Sequence, residues 1–316
     1  MTRFIGYGTL TLCLLAAIGA AAQQQPTFRT GSDAVRVFVT VTDRDGRLVT
    51  TLAQHDFDIR DNGKAQPITI FDNTPQPVRL IVMLDVSGSM EGNLALLRDG
   101  ASELFARLRP DDEVRVGTFG YDVNISREFT NDPAELRSQL PRQIVTDAPT
   151  PLWRAVDAAM TEFGDKRDVR SVVLVLSDGK DSGPISFNEK YVSQAEVIDR
   201  ARKEDVMVYG IGMHSRMSRP RTPGLGVAGL QAALMADLPD PGLAKVAQET
   251  GGGYAEIRPN QDLGAAFARV ADELHGQYLI GYAPPRRDGK SHEIEVKVSQ
   301  SGLKARARKT YLAPKS

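Results

Sequence analysis

Three oxygen-bearing side chains, Asp85, Ser87 and Ser89, stand at alternate positions directly after the apolar run Leu80–Leu84. Two further oxygens occur in similar settings downstream. Asp178 closes the run SVVLVLSDG that starts at Ser171, and Thr150 precedes Pro151-Leu152-Trp153. Carboxylates and hydroxyls in this combination suit a hard divalent cation, which takes oxygen ligands in number and retains waters. Three of the five donors are neutral hydroxyls. A cation held there keeps net positive charge and an exchangeable position that a carboxylate from elsewhere can fill.

The elements around these residues are what could bring them together. Leu80–Leu84, Val114–Phe119, Ser171–Leu176, Val206–Ile211 and Tyr254–Ile257 read as strands, the longer ones apolar and β-branched throughout. Helical spacing marks Leu94–Leu108, Leu152–Phe163, Ser193–Lys203, Gly242–Glu249 and Leu263–His275 between and after them. Strands alternating with helices predict an α/β fold, a doubly wound and mostly parallel sheet covered on both faces. Ligands bind such sheets beyond the carboxyl ends of the strands, where Asp85 and Asp178 would both sit. Pro151 suits the first helical position and Thr150 the cap before it, which would put the Thr150 hydroxyl on the same edge.

The flanks follow another pattern. Val35, Val37, Val39 and Val41 alternate on one face, and Asp45-Gly46 signals a turn. Phe57–Arg60, Asn62-Gly63 and Ile68–Phe71 read as a second hairpin. After the α/β region come three more strand-like stretches: Tyr278–Tyr282, Glu293–Val298 and Ala305–Tyr311. Neither flank has enough strands for its own two-sided core. They are predicted to pack together as one discontinuous all-β subdomain, residues 33–75 with 277–313. The stretch 213–241 is long for a loop in a compact domain, with a short helix expected near Leu230–Met235.

Asp85-x-Ser87-x-Ser89, Thr150 and Ser177-Asp178-Gly179, in that order, resemble the metal-ion-dependent adhesion site of the von Willebrand factor type A domain. The resemblance covers about residues 78–276, and Ala148-Pro149 stand where family members often carry glycines. The flanking sequences DRDG, DFDIRDNGK and QYLIGYAPPRRDGK are similar to those of bacterial von Willebrand factor A-related proteins. The resemblance implies a site for Mg2+ or Mn2+, with Ca2+ as a third candidate, held by Asp85, Ser87, Ser89, Thr150 and Asp178. It implies a binding module, not an enzyme, whose protein ligand supplies an Asp or Glu carboxylate.

Composition bounds the alternatives. The 316 residues are 41% hydrophobic and 25% charged with a formal charge of −1, which gives no general case for nucleic acid. Arg3, the uncharged stretch Thr9–Ala22 and the small-residue exit Ala20-Ala21-Ala22 have the layout of a secretory signal over residues 1–22, followed by a polar linker over 23–32. The apolar run is shorter than the ~20 residues that span a bilayer. The expectation is export to the periplasm or the extracellular space, with no stable span after cleavage. Cys13 is the single cysteine and lies in the expected signal, so no disulfide staples the rest.

Other chemistries fit less well. A haloacid-dehalogenase-type phosphatase needs a second aspartate two residues after the first, where this chain has Ser87. There is no G-x-x-x-x-G-K-[ST], no G-x-S-x-G and no H-E-x-x-H. His55, His214, His275 and His292 read as surface or structural residues, Trp153 as a core residue more than an aromatic rim, and Lys304, Arg306 and Arg308 as the solvated face of a strand. Two alternatives to the binding module remain: a hydrolase that uses the same metal to activate water, and a structural scaffold without metal.

Overall fold

In the computed structural model, residues 34–164, 169–178, 180–183, 191–214, 241–258 and 261–315 are described. The expected signal, the linker and the short helix near 230–235 lie outside them. Asp33–Ser316 forms one compact unit.

Its centre is a six-stranded sheet. The strand β5 (Val78–Asp85) lies between β8 (Arg170–Ser177) and β6 (Glu113–Phe119), and the full order is β10 (Tyr254–Ile257), β9 (Val206–Met213), β8, β5, β6, β7 (Val123–Ile125). All pairings are parallel except β6 with β7. Every residue of β5, β8 and β9 is buried, as the continuous apolar runs require when helices cover both faces. Alternation divides them. Leu80, Val82, Leu84, Val172, Leu174 and Leu176 pack toward α1 (Leu94–Phe105) and the last helix, α6 (Leu263–His275). Ile81, Met83, Val173 and Val175 pack toward α3 (Leu152–Thr161), α4 (Gln194–Glu204) and α5 (Pro241–Thr250).

Local signals explain the helix ends. Ser193 and Glu196 form a reciprocal capping box on α4, and Asp262 accepts the Ala265 N–H at the start of α6. In the α/β region the edge strand β7 and the short helix α2 (Pro133–Ser138) escaped the sequence reading. Each is too short to show a period, although Asp132 accepts the Ala134 N–H at the head of α2, with Pro133 in the first helical position.

The flanks do combine. β1 (Val35–Thr42) pairs with β11 (Tyr278–Tyr282), and β2 (Phe57–Asp61) with β12 (Ser291–Val298). The two four-stranded antiparallel sheets run β13-β1-β11-β4 and β14-β12-β2-β3, with β3 at Lys64–Gln66, β4 at Ile70–Asp72, β13 at Lys304–Arg306 and β14 at Thr310–Leu312. Val37, Val39, Val41, Ile59, Tyr278, Ile280 and Tyr282 share the core between them.

Two details differ from expectation. The hairpin partner of β2 is Lys64–Gln66, not Ile68–Phe71. Asn62 and Gly63 make the tight turn with φ of 48° and 77°, but Pro67 has no N–H to continue the ladder, and the chain crosses to pair Ile70–Asp72 with β11. Likewise, the last expected strand is split. Lys304–Arg306 pairs with β1 in one sheet and Thr310–Leu312 with β12 in the other.

The split corrects the reading of the basic residues. Lys304 is exposed, but Arg306 is half-buried and bonds Glu273 on α6 and Thr40 Oγ1 at 3.3 Å. Arg308 bonds Asp205 and the Arg36 carbonyl. Arg306 and Arg308 thus meet acceptors of the α/β region and of β1.

Candidate functional site

β5 and β8 are neighbours in register, Leu84 opposite Leu176, so Asp85 and Ser177 end at the same level of the sheet edge. Asp85 is fully buried. Its Oδ1 accepts the Ser87 N–H at 2.9 Å and its Oδ2 accepts the Ser177 hydroxyl at 2.5 Å. Burial pushes the Asp85 carboxyl up to about 6, against the hydrogen bonds from Ser177 and Ser87, which pull it down.

The first hydrogen bond bends the chain at once after the strand. The turn that follows, Gly88–Met90, is a single 3₁₀ turn that presents Ser87 and Ser89 side by side, their hydroxyl oxygens 3.1 Å apart. Ser89 donates to Asp178 Oδ1 at 2.7 Å, and Thr150 donates to the Ser87 hydroxyl at 3.0 Å. All five expected residues are therefore together, drawn from three separate segments. Thr150 and Ser89 each commit their one hydrogen, and the Ser87 hydroxyl stands between them, beside Ser89 and the Asp85 carboxyl.

Thr150 reaches the cluster differently from the expected cap. Pro151, not Thr150, is the residue before the helix, and neither side chain caps it. Asp181 does so from the loop after β8, accepting the Trp153 N–H at 3.2 Å. The Thr150 hydroxyl is thereby left for Ser87. The loop that carries Thr150 is pinned to the β5 turn by Val145 N–H to the Val86 carbonyl at 3.0 Å and Gly88 N–H to the Ala148 carbonyl at 3.2 Å. Contact is so close that a Cβ on Gly88 would fall 1.8 Å from the Thr146 carbonyl oxygen. Ala148 and Pro149, the departure from the usual glycines, leave Thr150 in place.

Among the described residues, no three His, Cys, Asp or Glu side chains gather as a metal group. The cluster is of another kind, two carboxylates with three hydroxyls. The oxygens lie 2.7, 3.0 and 3.1 Å apart, the range of ordinary hydroxyl hydrogen bonds, close enough to share one cation. The residues present, hydroxyl and carboxylate oxygens, thus fit a hard divalent cation.

The remaining candidates have structural places. Trp153 is buried in the core under α3. His275 bonds Asp112, His214 bonds Glu256, and His292 lies buried between Asp61 and Asp288. Sequence reasoning did not single out Gly88 or Asp181 as parts of the site's support, and quoted Ser177 only within a motif. The signal for Ser177 was its position, one residue beyond an apolar strand next to a strand ending in Asp85.

Residues 80–180 match the family model of the von Willebrand factor type A domain. No curated protein matches the chain significantly. Among solved structures, it is similar to a von Willebrand factor type A protein from Catenulispora acidiphila, at 11% identity over 91% of this chain and 76% of the other, with a TM-score of 0.48. It is similar to proximal thread matrix protein 1 from the mussel byssus, solved with a zinc occupied MIDAS motif, at 16% identity over 69% and 50% of the two chains, with a TM-score of 0.46. An aerotolerance-related membrane protein from Bacteroides fragilis is 16% identical over 62% of this chain and 98% of the other, with a TM-score of 0.44.

Proposed function

With residues 80–180 a von Willebrand factor type A segment, we propose that the chain is a metal-dependent protein-binding module that captures a partner's Asp or Glu carboxylate. The supporting observation is the convergence of Ser87, Ser89, Thr150 and Asp178 on one another over an already buried Asp85. Mg2+ or Mn2+ bound there would supply a Lewis-acidic position for one further oxygen.

The chain's own residues divide the work. Ser87, Ser89 and Thr150 offer neutral oxygens, and Asp178 a charged one. Both Asp85 oxygens already accept protein donors, so its part is to hold Ser87 in place and to balance charge from behind. The Asp181 cap and the pinned 145–148 turn fix Thr150 before any ligand arrives. Such preorganisation limits what binding must order.

Export to the periplasm or the extracellular space belongs to the same proposal. Among the described residues no helix is long and apolar enough to cross a membrane.

Thermal unfolding in EDTA and in excess magnesium or manganese tests the reading. A site with a Kd near 1 mM in ~10 mM metal stabilises by about 1.4 kcal/mol, a rise of a few degrees in Tm. The rise is expected in the wild type and lost in Thr150→Ala and Ser89→Ala. A wild type indifferent to metal would leave the scaffold reading. Metal-dependent turnover of a phosphate or ester panel would favour the hydrolase.

A further inference from the structure

The rim of the cluster carries more than the cluster itself. Among the described residues only four large hydrophobic side chains are exposed, and two of them, Tyr121 (50%) and Val145 (37%), belong to the two turns that border the β5 turn. The first border is set by the Val86 N–H, which bonds the Phe119 carbonyl at 3.0 Å, and by Gly120, where a Cβ would stand 3.3 Å from the Ala148 Cβ. The second is the pinned turn Val145–Ala148.

Tyr121 joins them. Its hydroxyl donates to the Asp147 carbonyl at 2.8 Å, and Arg154 from α3 holds its own carbonyl at 3.1 Å. The ring is thus anchored at both ends while half of it faces solvent. Scattered exposed hydrophobics are ordinary. An aromatic ring fixed at its tip and backbone, beside a second exposed apolar side chain, is instead a surface whose ordering cost is already met.

The charges on this rim are mostly of one sign. Glu91, Asp122 and Asp147 are exposed acids, against two bases, exposed Lys180 near Asp178 and half-buried Arg154 behind Tyr121. Three carboxylates around a site that takes a carboxylate would repel an acidic run. They leave room for one acid with basic neighbours.

We propose that this face reads an extended protein segment with a single acidic residue, a neighbouring apolar residue that seats on Tyr121 and Val145, and basic residues further out. The proposal rests on the metal-dependent reading of the same cluster and adds the partner's chemistry to it.

The test is selection from a random peptide display library on the immobilised full chain in excess magnesium, with elution by EDTA. Metal-induced thermal shifts of the same preparations are recorded separately. Eluted peptides are expected to carry one Asp or Glu, an apolar neighbour and flanking Lys or Arg. A selected peptide should bind Tyr121→Ala about tenfold more weakly or worse. Tyr121→Ala should keep the wild-type metal shift. Acid-only peptides, acid-rich peptides, or unchanged binding by Tyr121→Ala would overturn the proposal while the metal reading stands. So would an absence of EDTA-eluted peptides from a protein that shows the metal shift. Loss of the metal shift in the wild type would overturn both readings at once.

Discussion

Replacing Asp85 by Asn should stabilise the metal-free protein, and the gain should depend on pH in a defined way. Asp85 is fully buried and its carboxyl is pushed from 3.8 up to about 6. A raised carboxyl pKa means that the folded state holds its proton more tightly than the unfolded state does. Its contribution to stability is fully present below pH 3.8 and is lost as pH rises through 6. Above that, the charged carboxylate costs about 3 kcal/mol relative to its protonated form, from roughly two pKa units at 1.36 kcal/mol each.

Asn is close to isosteric and carries no charge to desolvate. Its oxygen can still accept the Ser87 N–H, and its NH2 can donate to a rotated Ser177 hydroxyl. In EDTA, the stability of Asp85→Asn minus that of the wild type should be near zero around pH 4 and rise to at most about 3 kcal/mol at neutral pH. Urea midpoints across that range read this directly. In excess magnesium at neutral pH the gap should narrow, because a cation favours the charged carboxylate of the wild type and the variant has no such charge to balance it. A variant less stable than the wild type at pH 7 in EDTA, or a difference that does not change with pH, would refute the claim that the buried charge is costly.

Three other perturbations separate the parts of the site. Gly88→Ala puts a Cβ within 1.8 Å of the Thr146 carbonyl oxygen, so the 145–148 turn must move. Differential scanning calorimetry should show a lower Tm and a metal-induced shift that has gone. Asp181→Ala removes the acceptor of the Trp153 N–H and should cost ~1 kcal/mol in urea denaturation, most of the metal-induced shift remaining because the Thr150 loop keeps its own pins. Asp61→Ala tests the flanking sandwich. Asp61 accepts from Tyr282 at 3.1 Å and Tyr311 at 2.6 Å and bonds His292 at 2.9 Å, so its loss strands buried partners and should cost about 3 kcal/mol or more, without abolishing the metal response.

How much of this was legible in the sequence depends on the range of the interactions. Strands buried on both faces announce themselves as apolar runs, and β5, β8 and β9 lie within two residues of where those runs place them. The pairing of the two flanks was legible because each, alone, lacks a second sheet to cover it. What was not legible is the choice among local partners. Ile68–Phe71 has the pattern of a hairpin arm, but Pro67 and the β11 edge decide against it. Lys304, Arg306 and Arg308 alternate like a solvated face, but Glu273 and Asp205 arrive from elsewhere in the chain to meet two of them.

The same distinction runs through the site. Asp85, Ser87 and Ser89 are legible because one strand end and one turn set their spacing. Thr150 is legible as a residue before a helix, and its expected role as cap is the part that fails. A cap is a contest for one N–H, and Asp181 wins it at Trp153 from a loop 28 residues on. With Pro151 at the cap position and Asp181 on the Trp153 N–H, the Thr150 hydroxyl bonds Ser87. The outcome could not be read from the spacing of Thr150 and Pro151, because it is decided by where β8 ends. A helix start whose usual cap has been displaced by a distant acceptor is therefore a place to look for a hydroxyl with another task.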